Sequence, residues 1–147
     1  MEHLKHPSSE QWEERRKWFE NMMNKYESEG SYLVSEQACA LIAEVQSCFC
    51  AGAWISVIIL AFTVIDAQLR ETELPDHKGD TKKLLNILGF DQKFQKLRDK
   101  RNKIIHLDTN NPAITVDEQW ANRNQLEKEA TEAVKLMAEA FYSNPGV

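Results

Sequence analysis

Three residues near the end of a helix-patterned segment have the types and spacing to do chemistry on a phosphate. They are Arg101, Asn102 and His106, in the sequence Arg-Asn-Lys-Ile-Ile-His. A guanidinium can hold a phosphate, an imidazole can move a proton near neutral pH, and a carboxamide can orient either group. Because Asn102 and His106 are four residues apart, a helix would place them on one flank. The segment therefore predicts a polar site at one end of a helix.

Arg101 occupies a position that the helical pattern reserves for an apolar side chain. The apolar residues on this face recur at three- and four-residue steps and are Phe94, Leu97, Ile104 and Ile105. Arg101 follows Leu97 by four residues and precedes Ile104 by three. A guanidinium buried without a partner costs several kcal/mol or more, so we expect Arg101 to be paired or to lie in a cleft.

Asp66 is the predicted partner of Arg101. It lies four residues after Phe62 and three before Leu69, on the core face of the most apolar segment of the chain. A carboxylate there needs a cation or a hydrogen-bond donor, and we assign Arg101 as the one cation on a core stripe. The alternative is that Asp66 binds a backbone group or a buried water.

A purely structural role is the alternative for His106, because the helix macrodipole favours a histidine near a helix C-terminus. The other histidines show no metal-ligand spacing with cysteines or carboxylates. The chain also has no glycine-rich phosphate loop, paired-carboxylate motif or nucleophilic serine motif. We therefore predict no metal and no cofactor.

The charge of the chain is unevenly distributed. Residues 78–103 contain nine basic residues and three aspartates, which gives about +6 in a chain of net charge −5 and leaves about −11 elsewhere. Such a patch can bind phosphates while the acidic remainder discourages non-specific adhesion. The alternative is a solvated helix face with ion pairs such as Asp99 to Lys103.

Cysteine usage and hydropathy indicate a cytoplasmic protein. Three cysteines in helical sequence (Cys39, Cys48 and Cys50) do not suggest a disulfide framework, and we expect all three to be small buried residues in a reducing compartment. The first residues lack the apolar region of a signal peptide. Residues 45–65 carry no charge, but Gly52 interrupts them and basic flanks are missing. We predict two core helices there rather than a membrane span.

The hydrophobic periodicity predicts an all-α bundle of five or six helices in a single domain of residues 1–147. The predicted helices cover about residues 9–28, 35–50, 54–71, 80–88, 91–106 and a last stretch from 116 or 122 to 141. An N-terminal helix within residues 9–29 extends a core of about residues 35–142.

Together these elements and the motif resemble the HEPN family of helical domains. Its ribonuclease signature is Arg-x(4–6)-His, often with Asn after the Arg, and Arg101, Asn102 and His106 match it at the end of a helix. Residues 48–54 (Cys-Phe-Cys-Ala-Gly-Ala-Trp) and 66–71 are also similar to the family, in which a small-residue turn precedes a long apolar helix with an acidic residue. The resemblance covers about residues 35–106.

The resemblance implies an endoribonuclease that needs no metal ion and forms a composite site across a homodimer. His106 would act as general base or acid at the ribose 2′-hydroxyl and the leaving oxygen, Arg101 would stabilise charge on the phosphate, and Asn102 would orient one of them. The residues implied to hold the flanking RNA are Arg98, Lys100 and Lys103. DNA lacks the 2′-hydroxyl and should not be cut.

The family also implies a biological setting, in prokaryotic defence or stress response. Toxin-type members often carry a Tyr two residues after the His and can have a nucleotidyltransferase-type antitoxin as partner, whereas this chain has Asp108 at that position. The second interpretation is a non-catalytic helical RNA-binding or protein-interaction module, in which Arg101, Asn102 and His106 hold the core or the dimer.

Overall fold

Seven α-helices make up most of the computed structural model, which describes residues 3–146. They are α1 (Ser9–Glu27), α2 (Glu36–Ala51), α3 (Trp54–Thr72), α4 (Thr81–Leu88), α5 (Gln92–Ile105), α6 (Val116–Ala121) and α7 (Arg123–Phe141). The predicted all-α bundle is confirmed. The helix count exceeds the predicted five or six because the last predicted helix is divided at Asn122, whose backbone (φ −107°, ψ 29°) leaves helical geometry.

Side-chain caps explain where most helices begin. The Ser8 hydroxyl accepts a hydrogen bond from the Gln11 amide, and the Gln11 side chain accepts one from the Ser8 amide, so α1 starts with a capping box. The caps of α2, α4, α5 and α6 are Ser35, Asp80, Asp91 and Thr115.

Helix α3 is the central element, as its apolar sequence predicted. It packs against both α2 and α7, and Val57, Phe62, Ile65 and Leu69 are completely buried. The preceding turn is tight because Gly52 has φ +76°, which glycine adopts without strain. The same hydrophobic cluster includes Phe19 of α1.

Helix α5, which carries the candidate site, packs against α3. Ile58 and Leu97 line one cavity, whereas Ile55 and Ile104 line another. Residues early in α3 therefore lie beside residues late in α5. This arrangement decides which side chains of the two helices can meet.

Across residues 3–146, no helix combines the length and apolarity needed to cross a bilayer. The expectation of three buried cysteines is wrong for Cys39, which is exposed, whereas Cys50 is buried and Cys48 is half-buried. Because Ala38 is on the core face of α2, the next residue points about 100° away from it. Burial raises the pKa of the Cys48 and Cys50 thiols.

Candidate functional site

Arg101 lies half-buried on the face of α5 that meets α3. Its guanidinium carbon is 5.9 Å from the centre of the Phe62 ring, and its Nη1 donates a hydrogen bond to Asn102 Oδ1 at 3.1 Å. Its Nε is buried, and no acceptor for it exists in the described part of the chain. Arg101 thus has one neutral acceptor and no carboxylate within ion-pair distance among residues 3–146.

His106 is the first residue beyond α5. Its backbone is extended (φ −113°, ψ 107°), and its amide donates to the Asn102 carbonyl oxygen at 3.0 Å. The helix was predicted to include His106 and to stack its ring along the flank with Asn102. Since the chain leaves helical geometry at His106, the imidazole does not follow that register and is exposed. The structure therefore keeps Asn102 and His106 adjacent through a backbone hydrogen bond.

The apolar stripe around Arg101 is narrower than predicted. Phe94 and Leu97 are buried and Ile104 is half-buried, but Ile105 is 41% exposed. Ile105 is one residue past Ile104, which turns it about 100° around α5 and out of the contact with α3. It adds an exposed apolar side chain directly beside His106.

The predicted pairing of Asp66 with Arg101 is wrong, because Asp66 binds Arg70 instead. Arg70 Nε is 3.1 Å from Asp66 Oδ1 and 3.3 Å from Oδ2, and the Thr81 hydroxyl donates to Asp66 Oδ1 at 2.6 Å. The two side chains have different neighbours. Asp66, late in α3, lies at the start of α4, whereas Arg101, late in α5, lies beside Phe62.

Asp66 belongs to a polar network that fastens the segment before α4 to α3. The other guanidinium nitrogens of Arg70 donate to the carbonyl oxygens of Gly79 at 2.9 Å and His77 at 3.5 Å, and to the Thr81 hydroxyl at 3.3 Å. The spacing of Asp66 and Arg70 is the signal that could have predicted this pair, since an acid four residues before a base stabilises a helix.

The three residues predicted to hold RNA do not lie on one face of α5. Arg98 and Lys100 are about 200° apart around the helix, on opposite flanks. Lys100 Nζ is 3.3 Å from Glu129 Oε2 of α7, and Arg98 Nη1 is 3.4 Å from Asp99 Oδ1. Lys103 is exposed on the outer side of α5. Of the three, Lys103 is the one without an ion pair in the described residues.

Helix α7 partly neutralises the basic segment. A cavity of about 320 Å³ between α5 and α7 has an apolar floor that includes Leu97 and Leu136. Its rim residues are Lys93, Lys96 and Lys100 on α5 and Glu129 and Glu132 on α7. This flank of α5 is therefore of mixed charge, and the positive charge predicted from the sequence is weaker here than the count alone suggested.

The candidate site thus consists of Arg101, Asn102 and His106 at the exposed end of α5, and Asp66 stands apart from it. Within the described range, no cluster of three or more His, Cys, Asp or Glu residues is arranged to hold a metal ion. Comparison of the chain with protein-family models, curated proteins and solved structures finds no significant match.

Proposed function

We propose that this protein is a metal-independent endoribonuclease of the HEPN type, which acts as a homodimer in prokaryotic defence or stress response in the cytoplasm. One observation carries the proposal. The Arg101 guanidinium is oriented by Asn102, lacks a carboxylate partner among the described residues, and lies five residues before an exposed His106. A structural arginine would be expected to have its charge compensated.

The chemistry follows from these three groups. Arg101 retains donors that can bind a phosphate oxygen and stabilise negative charge as the phosphorus is attacked. His106 can take the proton of the ribose 2′-hydroxyl, whose oxygen then attacks the adjacent phosphorus and expels the 5′-oxygen of the next nucleotide. Cleavage would leave a 2′,3′-cyclic phosphate and a 5′-hydroxyl.

A second protomer would supply what one chain lacks. The reaction needs a base for the 2′-hydroxyl and an acid for the leaving oxygen, and a two-fold axis near His106 would bring two imidazoles to one phosphate. The side chains next to His106 favour such an interface, since Ile105 is 41% exposed and Leu107 is 77% exposed. Exposed apolar residues beside a polar site are typical of a surface that becomes buried on association.

The decisive experiment is RNA cleavage in EDTA by the wild type and by His106→Ala. We expect the wild type to remain active and the variant to lose about 100-fold or more of its rate, the usual contribution of a general acid or base. His77→Ala is the matched control, because that histidine lies in the network before α4, and it should cleave normally. Metal-dependent cleavage, or full activity in His106→Ala, would refute the proposal.

The homodimer can be tested separately with Leu107→Asp. A buried carboxylate at a two-fold interface is unfavourable, so we expect this variant to be monomeric and inactive. Sedimentation velocity measures the mass, and the same cleavage assay measures the activity. An active monomer would show that one chain contains the whole site.

The alternative is a non-catalytic helical module that binds RNA or a protein. The ion pair of Lys100 with Glu129 favours the protein-binding form of this module, because that pair reduces the positive charge available to a phosphate. The same assays separate the two functions. Salt-dependent RNA binding without cleavage, unaffected by His106→Ala, would indicate the module.

A further inference from the structure

Two arginines from distant parts of the chain meet at the turn between α2 and α3. Arg15 of α1 donates from Nη1 to the Cys50 carbonyl oxygen at 3.1 Å, and Arg123 of α7 donates from Nη2 to the Gly52 carbonyl oxygen. A Cβ atom built on Gly52 would lie 3.2 Å from Arg15 Nη1 and 3.7 Å from Arg123 Nη2. The two guanidiniums therefore approach the same point from two helices.

Both guanidiniums also lie against one aromatic ring. The Arg15 guanidinium carbon is 4.9 Å from the centre of the Trp54 ring, and that of Arg123 is 5.9 Å from it. Trp54 is 2% exposed, so the ring holds both cations at the edge of the core. The arginines are half-buried and fixed in place, which lowers the entropy lost when they bind a ligand.

No carboxylate neutralises this pair of cations. In residues 3–146, neither arginine has an acidic group within ion-pair distance, and the remaining acceptor of Arg123 is the neutral Gln119 side chain at 3.0 Å. Burial and the nearby Arg15 lower the pKa of Arg123, although Glu127 acts in the opposite direction. Two like charges are thus held together in a chain whose net charge is −5.

Backbone capping accounts for only part of this arrangement. The carbonyl oxygens at the end of α2 favour a nearby cation, but they occupy one donor of Arg15 and one of Arg123. Gln119 occupies one more. A guanidinium has five N–H donors, so most of them remain available to a further acceptor.

We infer that Arg15 and Arg123 form a binding site for a phosphate group at the turn between α2 and α3. A phosphate carries the negative charge that the pair lacks, and its oxygens can accept hydrogen bonds from both guanidiniums. The inference does not depend on His106 or on RNA cleavage.

The surroundings suggest how a longer ligand would reach this site. Trp12 and Trp120 each precede one of the arginines by three residues, and they are 36% and 37% exposed. Exposed indoles beside a phosphate site can stack on bases. The site also lies at the same end of the bundle as His106, because Ile55, next to Trp54, lines a cavity with Ile104 of α5. The phosphate could be a free anion or part of a polynucleotide.

Thermal unfolding in inorganic phosphate tests the inference on the wild-type protein. We expect phosphate at ten times its dissociation constant to raise the Tm by about 3–6 °C above that in sodium chloride of equal ionic strength. A short RNA without terminal phosphates, whose binding is measured by fluorescence anisotropy, distinguishes a polynucleotide from a free anion. The inference would be overturned if phosphate raised the Tm no more than chloride does and if RNA binding did not depend on these arginines.

The variants Arg15→Gln and Arg123→Gln assign the effect to the pair. Each retains a hydrogen-bonding side chain and removes one charge, so we expect the phosphate-induced shift to fall to the chloride level. The matched controls are Lys17→Gln on α1 and Lys128→Gln on α7, which remove one exposed charge from the same helices. An unchanged phosphate shift in both arginine variants, or equal losses in the lysine variants, would refute the site.

Discussion

Arg70 and Arg101 are both half-buried on helices of the core, but their surroundings differ sharply. Arg70 is surrounded by acceptors, which are both oxygens of Asp66, two backbone carbonyls and a hydroxyl. Arg101 has one neutral acceptor and a buried Nε without a partner in the described residues. Arg70 therefore stabilises the fold through its hydrogen bonds, whereas Arg101 has donors that find no acceptor in the described residues and that a ligand could use.

The difference has an energetic meaning. Hydrogen bonds to charged groups contribute about 1.5–3 kcal/mol each, whereas a desolvated donor without an acceptor is destabilising. The fold therefore gains from Arg70 and gains little from the charged end of Arg101. An arginine that contributes little to stability is a better candidate for function. At such a position, selection for ligand binding does not compete with selection for stability.

The largest expected effect is that of Arg101→Met, which removes the charge and keeps an apolar stem over Phe62. We expect RNA cleavage to fall by about 100-fold or more, because a donor to the developing charge is lost. The free energy of unfolding should stay constant or rise by up to about 1 kcal/mol, since a buried donor without an acceptor is removed. Chemical denaturation and the cleavage assay measure the two quantities. If Arg101→Met lowered the free energy of unfolding as much as Asp66→Ala does, Arg101 would be a structural residue like Arg70.

Asp66→Ala should give the second largest effect, on stability alone. It removes the carboxylate that accepts from Arg70 and Thr81, and we expect the free energy of unfolding to fall by about 1–3 kcal/mol. Asp99→Ala is the matched control, because that aspartate pairs with Arg98 at the surface with 61% of its side chain exposed, and its removal should cost at most about 0.5 kcal/mol. Equal effects of the two variants would show that the network is no more than a surface ion pair.

The same contrast between paired and unpaired cations can be measured at two lysines of α5. For a single-stranded RNA, each phosphate contact contributes about 0.7 to the slope of log affinity against log salt concentration. We expect Lys103→Gln to reduce this slope by about that amount, and Lys100→Gln to reduce it less because Glu129 already neutralises Lys100. Anisotropy titrations at several salt concentrations test this order. A larger effect at Lys100 would place the RNA in the groove between α5 and α7.

The smallest expected effect is a loss of local stability in acid at the start of α4, next to the Arg70 network. The amide of Lys83 donates a hydrogen bond to the Asp80 carboxylate, and this bond lowers the Asp80 pKa below its ordinary 3.8. A carboxyl with a depressed native pKa stabilises the fold above its unfolded pKa and ceases to do so as the pH falls through the native value. We therefore expect the protection of the first amides of α4, measured relative to their intrinsic exchange rates, to fall below about pH 4. Asp80→Asn keeps a capping group without a charge, so its exchange should lose this pH dependence. Hydrogen exchange followed by NMR would show it, and an unchanged profile in Asp80→Asn would contradict it.

The helices were predictable because their signals are local. Caps such as Asp80 and Asp91 and stop signals such as Gly52 and Gly89 lie within a few residues of the ends that they define. The break at Asn122 was left open, since the sequence allowed the last helix to start on either side of it.

Contacts between helices were harder to predict. The register of α3 against α5 depends on tertiary packing, which no local pattern specifies, and the pairing of Asp66 with Arg101 was wrong for that reason. The convergence of Arg15 and Arg123 was missed, although Arg15 carried the same signal as Arg101. It lies four residues before the buried Phe19, on the core side of α1. A cation therefore lies on an apolar stripe at two positions, whereas the sequence interpretation considered only Arg101.

His106 lies at the boundary between a packed helix and an irregular segment. Helix α5 ends at Ile105, and about ten residues without regular structure follow it. The backbone amide of His106 is held by the helix, whereas its own backbone angles are already extended and lead into the irregular segment. Changes in length or charge within residues 107–112, which are all exposed, would alter the surroundings of the imidazole and leave the buried core intact. The reactivity proposed for His106 could therefore change over evolution without a matching change in thermal stability.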